Sequence, residues 1–401
     1  MTSPPPALHT LRRESEVLGF IAIDSTVGGR ARGGVRLVED VSAEEIQAAA
    51  RAMTLKYGFL GLPQGGAKAG IRARGEDDGD GRRPRLYEFA KAAEPLLRDR
   101  RFVPDADMGT TADDIRSMMQ SVGLAGGPHD WRRNLSGHYT AVSCLASARA
   151  ALAHMGTALK GCRVAIEGFG RVGSALAGLL HAQGALIVAV STSHGARYDP
   201  RGLDIERLLQ IAAPGDHAVI DGYTDAERLD RSALLELPVD LLCPCARYHG
   251  IHAGNASRIA ARVVCAGAND PVAPEAERVL HARGIPYPPD FVTNCGGVLG
   301  GTLEFAGVRP AHISALIQRH VGGAVAVLVQ RARQEGVPPR AVAEPLALAR
   351  HQRVQWAAQR RGLRGRAFAF ALEAYRRGWL PERVVGALAH RYMEAHLRSL
   401  A

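Results

Sequence analysis

A glycine-rich segment between a predicted strand and a predicted helix constrains the fold most. Residues 163–167 (RVAIE) predict a strand, and a helix is predicted to open at Ser174. The segment between them consists of Gly168, Phe169, Gly170, Arg171, Val172 and Gly173. A strand, a G-x-G-x-x-G turn and a helix in this order predict a dinucleotide-binding unit, with the pyrophosphate at the helix N-terminus. The alternative is a glycine-rich turn without a ligand.

The pattern around this segment predicts an α/β fold. Further apolar strands are predicted at 186–190, 241–242 and 263–264, with helical spacing between them, and the chain is helical from about 311 onward. Strands that alternate with helices predict a doubly wound, Rossmann-type sheet. We therefore expect three regions. They are an N-terminal α/β substrate and oligomerisation domain (1–135), a dinucleotide domain (136–310) and C-terminal helices that pack back towards the first domain (311–401).

The predicted strand at 186–190 leaves the type of dinucleotide open. An acidic residue about 20 positions after the glycines usually binds the adenosine ribose of NAD. Here the chain reads Ser191-Thr192-Ser193-His194, and no acid comes before Asp199. Thr192, Ser193 and the nearby Arg197 could accept a 2′-phosphate instead, so both NAD and NADP remain candidate cofactors.

Two lysines mark a second candidate site. Lys56 lies near the end of a helical run at 43–60, for which Ser42 and Glu45 offer a capping box. Lys68 follows Gly65-Gly66, interpreted as a turn, and precedes a short apolar segment. Burial lowers a lysine pKa and enables proton transfer near neutral pH, which arginine cannot perform. The alternative is a pair of solvated lysines.

Composition and net charge limit the classes of protein to which this chain could belong. The chain has 401 residues, 46% hydrophobic and 22% charged, with a net charge of +10. The basic residues form no aromatic-interleaved stripe, so we expect no nucleic-acid partner. No apolar run of membrane-spanning length and no signal peptide are recognised, which predicts a cytoplasmic protein. Cys243 and Cys245, with His249 and His252, were considered as zinc ligands, but no metal is predicted.

Five blocks of sequence in a specific order resemble the Glu/Leu/Phe/Val dehydrogenase family from about residue 18 to residue 350. The blocks are Gly33-Gly34-Val35-Arg36, Met53 to Ile71, Asp107-Met108-Gly109-Thr110, the glycine segment, and Gly267-Ala268-Asn269 with Pro289-Asp290 through Asn294-Cys295-Gly296-Gly297-Val298. The resemblance implies oxidative deamination of an amino acid with NAD or NADP, and the reverse reaction with ammonium. It also implies a homo-oligomer without a membrane partner.

The resemblance assigns catalytic and binding roles. Lys56 matches the lysine that binds the substrate α-carboxylate. Lys68 matches the lysine that polarises the α-carbonyl and activates water, and Asp107 matches the general acid/base for the amino nitrogen. Read from the residues alone, Asp107 could instead be a helix N-cap.

Other matched residues surround the cofactor and substrate. Thr140 and Asn269 match residues at the nicotinamide end of the cofactor, and Gly34 and Asn294 match substrate-binding positions. Asn294 could otherwise be a turn residue. The second position that reads the substrate side chain is Gly301, which supplies neither a hydroxyl nor a bulky wall.

Arg32 matches the first position that reads the far end of the substrate. Its guanidinium favours an acidic side chain, so glutamate is the favoured substrate. The surrounding sequence looks more like the leucine and phenylalanine enzymes, and an exposed loop arginine is the alternative for Arg32. Two other functions stay open. One is a leucine-, valine-, phenylalanine- or tryptophan-type biosynthetic dehydrogenase, and the other is a catalytically silent, dinucleotide-binding regulatory paralogue.

Overall fold

The computed structural model describes residues 6–74, 82–124, 135–212, 216–360 and 363–399. These residues form two compact units. Unit 1 contains the described parts of 1–134, 305–307 and 346–389, and unit 2 contains those of 135–304, 308–345 and 390–401. From the sequence, residues 75–84 are also expected to form a turn-rich polar loop and residues 123–137 a hinge, and both segments lie largely outside the described residues. The three-region division 1–135, 136–310 and 311–401 stays a prediction.

Unit 1 is built on a mixed five-stranded sheet in the order β1-β2-β4-β3-β5. Strand β4 pairs antiparallel with β2 and parallel with β3, which also pairs parallel with β5. The strands are β1 (Ala7–Arg13), β2 (Glu16–Ile23), β3 (Ala31–Val38), β4 (Gly65–Arg72) and β5 (Phe102–Ala106). The first helices are α1 (Ala43–Phe59), α2 (Arg82–Arg98) and α3 (Ala112–Ser121).

The two faces of this sheet differ in chemistry because side chains alternate along a strand. Val35, Ala69 and Ile71 point to one face, where they join an apolar core with side chains of α2 and α3 such as Phe89 and Met118. The opposite face carries α1 and the charged residues of the candidate site. The apolar run at 18–23 predicts a strand, which lies within β2, and the predicted helix at 43–60 corresponds to α1. The sequence pattern does not predict β1, β3 or β4.

Unit 2 is built on a six-stranded sheet in the order β11-β10-β6-β7-β8-β9. The pairings from β11 through β7 are parallel, and β8 and β9 add antiparallel strands at one edge. The strands are β6 (Arg163–Glu167), β7 (Leu186–Thr192), β8 (Gly195–Tyr198), β9 (Glu227–Leu229), β10 (Leu241–Pro244) and β11 (Val263–Val264). The predicted α/β class is confirmed, and β8 and β9 form an antiparallel edge that the sequence pattern does not predict.

Helices cover both faces of the second sheet. Val164 and Ile166 pack with side chains of α4 and α5, whereas Ala165 packs with those of α8 and α9. The helices in and after this sheet are α4 (Ser136–His154), α5 (Arg171–Ala182), α6 (Ile205–Ala212), α7 (Asp216–Gly222), α8 (Arg231–Leu235), α9 (Pro274–Ala282), α10 (Asp290–Thr293) and α11 (Gly296–Phe305). The helix after the glycine segment begins at Arg171, three residues before the predicted start at Ser174.

The C-terminal part of the chain is helical, as predicted. Its helices are α12 (Pro310–Glu335), α13 (Pro339–Gln359), α14 (Leu363–Arg376) and α15 (Glu382–Arg398). Within the described ranges, α12 alone is long and apolar enough to cross a membrane by length and composition, which the sequence analysis did not recognise. One side of this helix, with Ile317, Val321 and Val325, is buried inside the protein, whereas Val327 is exposed.

Candidate functional site

Glycines in unit 1 leave space for a charged centre on the α1 face of the sheet. Residues 32, 34 and 36 of β3 point to this face, and the register of β3 against β4 places Gly34 level with Lys68. A Cβ atom at Gly34 would lie 2.7 Å from Asp107 Cβ and 3.2 Å from Lys68 Nζ. Position 34 therefore has no room for a larger residue beside the Lys68 and Asp107 side chains.

Strand β4 also lies unusually close to α1. A Cβ atom at Gly66 would lie 2.3 Å from the backbone nitrogen of Thr54, so only glycine allows this approach. Gly65-Gly66, interpreted from the sequence as a turn, is therefore part of β4, which is a correction. Two residues after Thr54, Lys56 lies buried in α1.

Lys68 and Asp107 form a buried ion pair. Lys68 Nζ lies 2.5 Å from Asp107 Oδ2, with the lysine side chain only 4% exposed. Arg36 Nε donates to the same carboxylate oxygen at 3.3 Å, and the other side of its guanidinium pairs with Glu45. Two cations therefore hold one carboxylate, and a second carboxylate compensates the outer cation.

Burial and charge set the protonation of this centre. Burial lowers the pKa of the Lys68 amine, and the neighbouring Asp107 carboxylate opposes this effect in part. Burial alone would raise the pKa of Asp107, but Lys68 and Arg36 outweigh it and hold that pKa well below its ordinary value. The centre thus combines an ionised carboxylate with an amine that gives up its proton more readily than a surface lysine.

The structure decides between the two interpretations of Asp107. The N-cap of α3 is Thr111, whose hydroxyl accepts from Asp114 N while the Asp114 carboxylate accepts from Thr111 N. Asp107 lies before this capping box, and its own amide donates to Thr110 Oγ1 at 2.9 Å. The Asp107 side chain is therefore not used as the helix cap. At α1, Ser42 forms the predicted N-cap, and Glu45 pairs with Arg36.

Arg32 of β3 lies on the same sheet face as Lys68 of β4. It pairs in register with Gly66, which is two residues before Lys68. Its Nη2 donates to Asp105 Oδ2 at 2.9 Å, with 32% of the arginine side chain and 49% of the aspartate side chain exposed. Arg32 is therefore placed by a carboxylate that the sequence analysis did not consider. Tyr57 of α1 is buried near both charges, and burial raises its pKa.

In unit 2, the glycine segment forms an open cradle at the start of α5. Gly168 has a φ of +90°, which favours glycine, and its amide donates to Ser191 Oγ at 3.1 Å. A Cβ atom at Gly173 would lie 1.9 Å from Gly168 O, so helix and turn are in close contact. At Gly170 a Cβ atom would meet nothing within 4 Å. This open space at a helix N-terminus fits a pyrophosphate.

The remaining residues of the segment and the end of β7 surround this cradle. The amide of Phe169 donates to Ser191 O at 2.7 Å, which ties the turn to β7. Arg171 begins α5, and Val172 lies against Gly267, since a Cβ there would be 3.0 Å from Val172 Cγ1. Thr192 is buried at the end of β7, and Ser193 follows it in an exposed turn.

Asn294 connects several of the predicted site residues of unit 2. Its Nδ2 donates to Ala268 O at 2.8 Å and to Asn269 Oδ1 at 3.1 Å. Its Oδ1 is buried and has no hydrogen-bond partner among the residues that the structure describes. An orphaned buried acceptor at this place is suited to a donor group of a ligand. Asn294 also ends α10, so the turn interpretation holds for its backbone.

Thr140 lies against Gly297 of α11, the helix that also contains Gly301. Gly297 contacts Thr140, because a Cβ at Gly297 would lie 2.5 Å from Thr140 Oγ1. Thr140 Oγ1 donates to Ser136 O at 2.8 Å within α4, which leaves its lone pairs to accept a hydrogen bond. Gly301 lies in α11, and a Cβ there would meet nothing within 4 Å.

Glu167 is a buried acid beside the cradle that the sequence analysis did not single out. It ends β6 directly before Gly168, and its Oε2 has no hydrogen-bond partner within the described ranges. Burial raises the pKa of its carboxyl to about 7, against the opposing effects of Arg231, the Ala246 amide and Arg247. Arg36, Ser191 and Asp105 were also missed. Arg36 belongs to one of the five blocks, but the resemblance assigned it no role.

The fold and the two sites together define a class of protein. A buried lysine–aspartate pair on one α/β unit and a dinucleotide cradle on another are the parts of a dinucleotide-dependent oxidoreductase. Comparison with family models narrows this class. Residues 10–123 match the Glu/Leu/Phe/Val dehydrogenase dimerisation domain, and residues 134–362 match the Glutamate/Leucine/Phenylalanine/Valine dehydrogenase model. The chain belongs to this family of amino-acid dehydrogenases, which act on CH–NH₂ groups with NAD or NADP, as the sequence predicted.

Known relatives agree with this assignment. A glutamate dehydrogenase of Thermotoga maritima is 34% identical over 300 residues, which cover 72% of each chain. An NAD-specific glutamate dehydrogenase of Staphylococcus aureus is 32% identical over 310 residues, with 72% of each chain covered. Among solved structures, the Leu-bound hetero-hexameric glutamate dehydrogenase of Thermus thermophilus has a TM-score of 0.71 and 25% identity, covering 90% of both chains.

Proposed function

We propose that this protein catalyses the reversible, NAD(P)-dependent oxidative deamination of an L-amino acid to the 2-oxo acid and ammonium, with glutamate as the favoured substrate. The observation that carries the proposal is the Lys68–Asp107 pair, held at 2.5 Å. It lies beside Gly34 and Gly66, which together are called the glycine floor. A silent regulatory paralogue would not need an amine with a lowered pKa beside an ionised carboxylate.

The unit 1 residues perform the proton transfers in this proposal. Lys56 binds the α-carboxylate of the substrate as a fixed cation. Asp107, kept ionised by Lys68 and Arg36, accepts a proton from the substrate ammonium and returns it to the amino nitrogen later. Lys68 polarises the α-carbon centre and activates the water that hydrolyses the imine. The products are the 2-oxo acid and ammonium.

The unit 2 residues hold the dinucleotide in this proposal. The open end of the glycine segment, around Gly170 at the N-terminus of α5, binds the pyrophosphate, while the Gly168 and Phe169 amides hold the turn against Ser191. Thr192 and Ser193 lie where the adenosine ribose is bound in this fold. Thr140, Asn269 and Asn294 orient the nicotinamide end and the substrate. When bound, the nicotinamide accepts the hydride from the amino acid Cα or returns it to the imine.

The choice of substrate side chain depends on Arg32 in this proposal. A guanidinium can bind a side-chain carboxylate through two parallel hydrogen bonds, which supports glutamate and 2-oxoglutarate. The relatives from Thermotoga maritima and Staphylococcus aureus are named glutamate dehydrogenases, which also supports this choice. One observation favours a second candidate. Asp105 compensates the Arg32 charge, which suits an uncharged side chain of the leucine or aromatic type.

Assembly and location are part of the same proposal. The match of residues 10–123 to a dimerisation domain and the hexameric relative support a homo-oligomer. We propose that this homo-oligomer works in the cytoplasm on small-molecule substrates, without nucleic acid or membrane.

The decisive experiment is reductive amination with ammonium, a panel of 2-oxo acids, and NADH or NADPH. The panel contains 2-oxoglutarate, 4-methyl-2-oxopentanoate and phenylpyruvate. We expect turnover with at least one acid and the highest kcat/KM with 2-oxoglutarate. The absence of turnover with every acid and both cofactors would refute the function.

A pair of variants tests the role of Arg32 separately. Arg32→Leu should lower kcat/KM for 2-oxoglutarate by tens- to thousands-fold, since truncating one side of a charged pair costs about 2–5 kcal/mol. Arg12→Leu, an exposed change in β1, serves as the matched control. If the ranking of the 2-oxo acids is the same in all three proteins, Arg32 does not read the substrate.

A further inference from the structure

The turn between β7 and β8 has the composition of an anion-binding site. In a Rossmann-type unit the end of this strand binds the adenosine ribose, through a carboxylate for NAD and through an arginine for the 2′-phosphate of NADP. Here Thr192 is buried, and Ser193 and His194 are exposed. Ser193 Oγ lies 3.0 Å from His194 Nδ1, and the His194 amide donates to Thr192 Oγ1 at 3.1 Å. Hydroxyl and imidazole groups therefore stand where NAD enzymes have an acid.

The arginine that the sequence suggested for this role is used elsewhere. Arg197 is buried, and its Nε donates to Ile220 O at 2.8 Å. Its Nη1 donates to Ala226 O at 3.0 Å. These bonds fix the guanidinium inside unit 2, where it satisfies backbone carbonyls. The expectation that Arg197 accepts a 2′-phosphate is therefore wrong.

A different arginine lies at the turn. Arg228 comes from β9, and its Nη2 donates to His194 O at 3.2 Å while 57% of its side chain is exposed. Its Nε is 3.8 Å from the place of a Cβ at Gly195, so the guanidinium lies beside the turn. The pairing of β8 with β9 places it there, although it is 34 residues from His194 in sequence.

One acidic group faces this arginine and must be weighed against it. Asp221 Oδ1 lies 3.5 Å from Arg228 Nη1, and 62% of the aspartate side chain is exposed. A long, exposed ion pair of this kind contributes about 0–1 kcal/mol. A phosphate dianion accepts stronger, charge-assisted hydrogen bonds from a guanidinium, so it can compete with Asp221.

We propose that Ser193, His194 and Arg228 form the recognition site for the 2′-phosphate of NADP, so that this enzyme prefers NADP(H) to NAD(H). The inference rests on the proposed function, because it assigns the cofactor of that same site. It distinguishes this chain from the relative that is named NAD-specific.

The test is a binding measurement that needs no catalysis. Isothermal titration of the full chain compares 2′,5′-ADP, which carries the 2′-phosphate, with 5′-AMP, which lacks it. We expect the wild type to bind 2′,5′-ADP about 10- to 100-fold more tightly, the range for hydrogen bonds to a charged group. Equal or weaker binding of 2′,5′-ADP would overturn the inference.

Single-residue variants test which side chain is responsible for the preference for 2′,5′-ADP. Arg228→Gln should lose most of the 2′,5′-ADP preference without weakening 5′-AMP binding, and Asp221→Asn should increase the preference. Arg201→Gln is the matched control, because Arg201 is 86% exposed and pairs with Asp199 at the other end of β8. An unchanged preference in Arg228→Gln, or equal loss for both nucleotides, would overturn the assignment. Ser193→Ala, which removes a single exposed hydroxyl, should reduce the preference partly.

This design separates the inference from the proposed function. If no 2-oxo acid is turned over but 2′,5′-ADP binds with an Arg228-dependent preference, the dehydrogenase proposal fails while the phosphate site stands. If 2-oxo acids are turned over and the preference is absent, the phosphate site fails while the dehydrogenase proposal stands.

Discussion

Replacing Glu167 by glutamine should stabilise the protein at alkaline pH and have a much smaller effect at acidic pH. The Glu167 side chain is buried at the end of β6, and one of its oxygens has no partner among the described residues. Burial raises the pKa of this carboxyl to about 7 in the folded protein, from an ordinary value of 4.5. The folded state therefore holds a proton that the unfolded state has already lost between these two pH values.

The sign and size of the effect follow from this difference. Below about pH 4.5 both states are protonated, and Glu167 has no electrostatic effect on the free energy of unfolding. As pH rises from about 4.5 to about 7, the unfolded state ionises while the folded state keeps its proton, so stability is lost until the buried acid also ionises. The difference between about 7 and 4.5, at about 1.4 kcal/mol for each pKa unit, corresponds to about 3 kcal/mol.

The assay is urea unfolding of wild type and Glu167→Gln at about pH 4 and about pH 8.5, on either side of the transition. Glutamine keeps the shape of the side chain and cannot ionise. We expect the variant to gain about 3 kcal/mol relative to wild type between the two pH values. Glu206→Gln, an exposed change in α6, should gain nothing. An equal difference between wild type and Glu167→Gln at both pH values would refute the argument.

Three further predictions test the sites. Lys68→Ala should lower kcat by more than about 100-fold and keep dinucleotide binding, since general acid–base groups contribute about 10²–10⁴-fold. Lys91→Ala, an exposed change in α2, is its control. Asp107→Asn should lower the rate and change the pH–rate profile, and a variant with the wild-type rate and profile would show a structural role. Gly170→Val should fold, because the position is open, but should lose dinucleotide affinity in a fluorescence titration. Unchanged affinity would mean that the cradle lies elsewhere.

The sequence predicted unit 2 well because its signals are local. The strand at 163–167 is found with the predicted bounds, and the glycine segment is followed by α5 and β7 in the expected order. Parallel strands buried on both faces are apolar throughout, so they stand out in a sequence. The antiparallel edge was missed because β8 and β9 are short, and their pairing depends on residues far apart in the chain.

The sequence did not predict the central strands of unit 1 for a reason that also concerns the site. In β3 and β4 the positions on the α1 face are occupied by glycine, arginine and lysine, which are not typical of strands. Glycine is there at positions 34 and 66 because Asp107 and the α1 backbone leave no room for a side chain, and the arginines and the lysine are the charged groups of the site. Because the site requires these residues, β3 and β4 lack the sequence pattern by which strands are recognised.

The sequence also could not predict ion pairs between residues that are far apart in the chain. Arg36 and Asp107 are 71 positions apart, and Arg32 and Asp105 are 73 positions apart. Only the order of strands in the sheet brings them together. A residue such as Asp105 has no local pattern that would distinguish it from a surface aspartate.

The glycine floor beneath Lys68 has a consequence for anyone who wishes to re-engineer the substrate range. Saturation mutagenesis at position 34 or 66 would yield almost only inactive or unfolded clones, because every side chain collides with Asp107 or with the α1 backbone. Gly301 is different, since a side chain can be added there without collision. A productive library would therefore randomise positions 32 and 105, or position 301 by itself, and leave Gly34 and Gly66 unchanged.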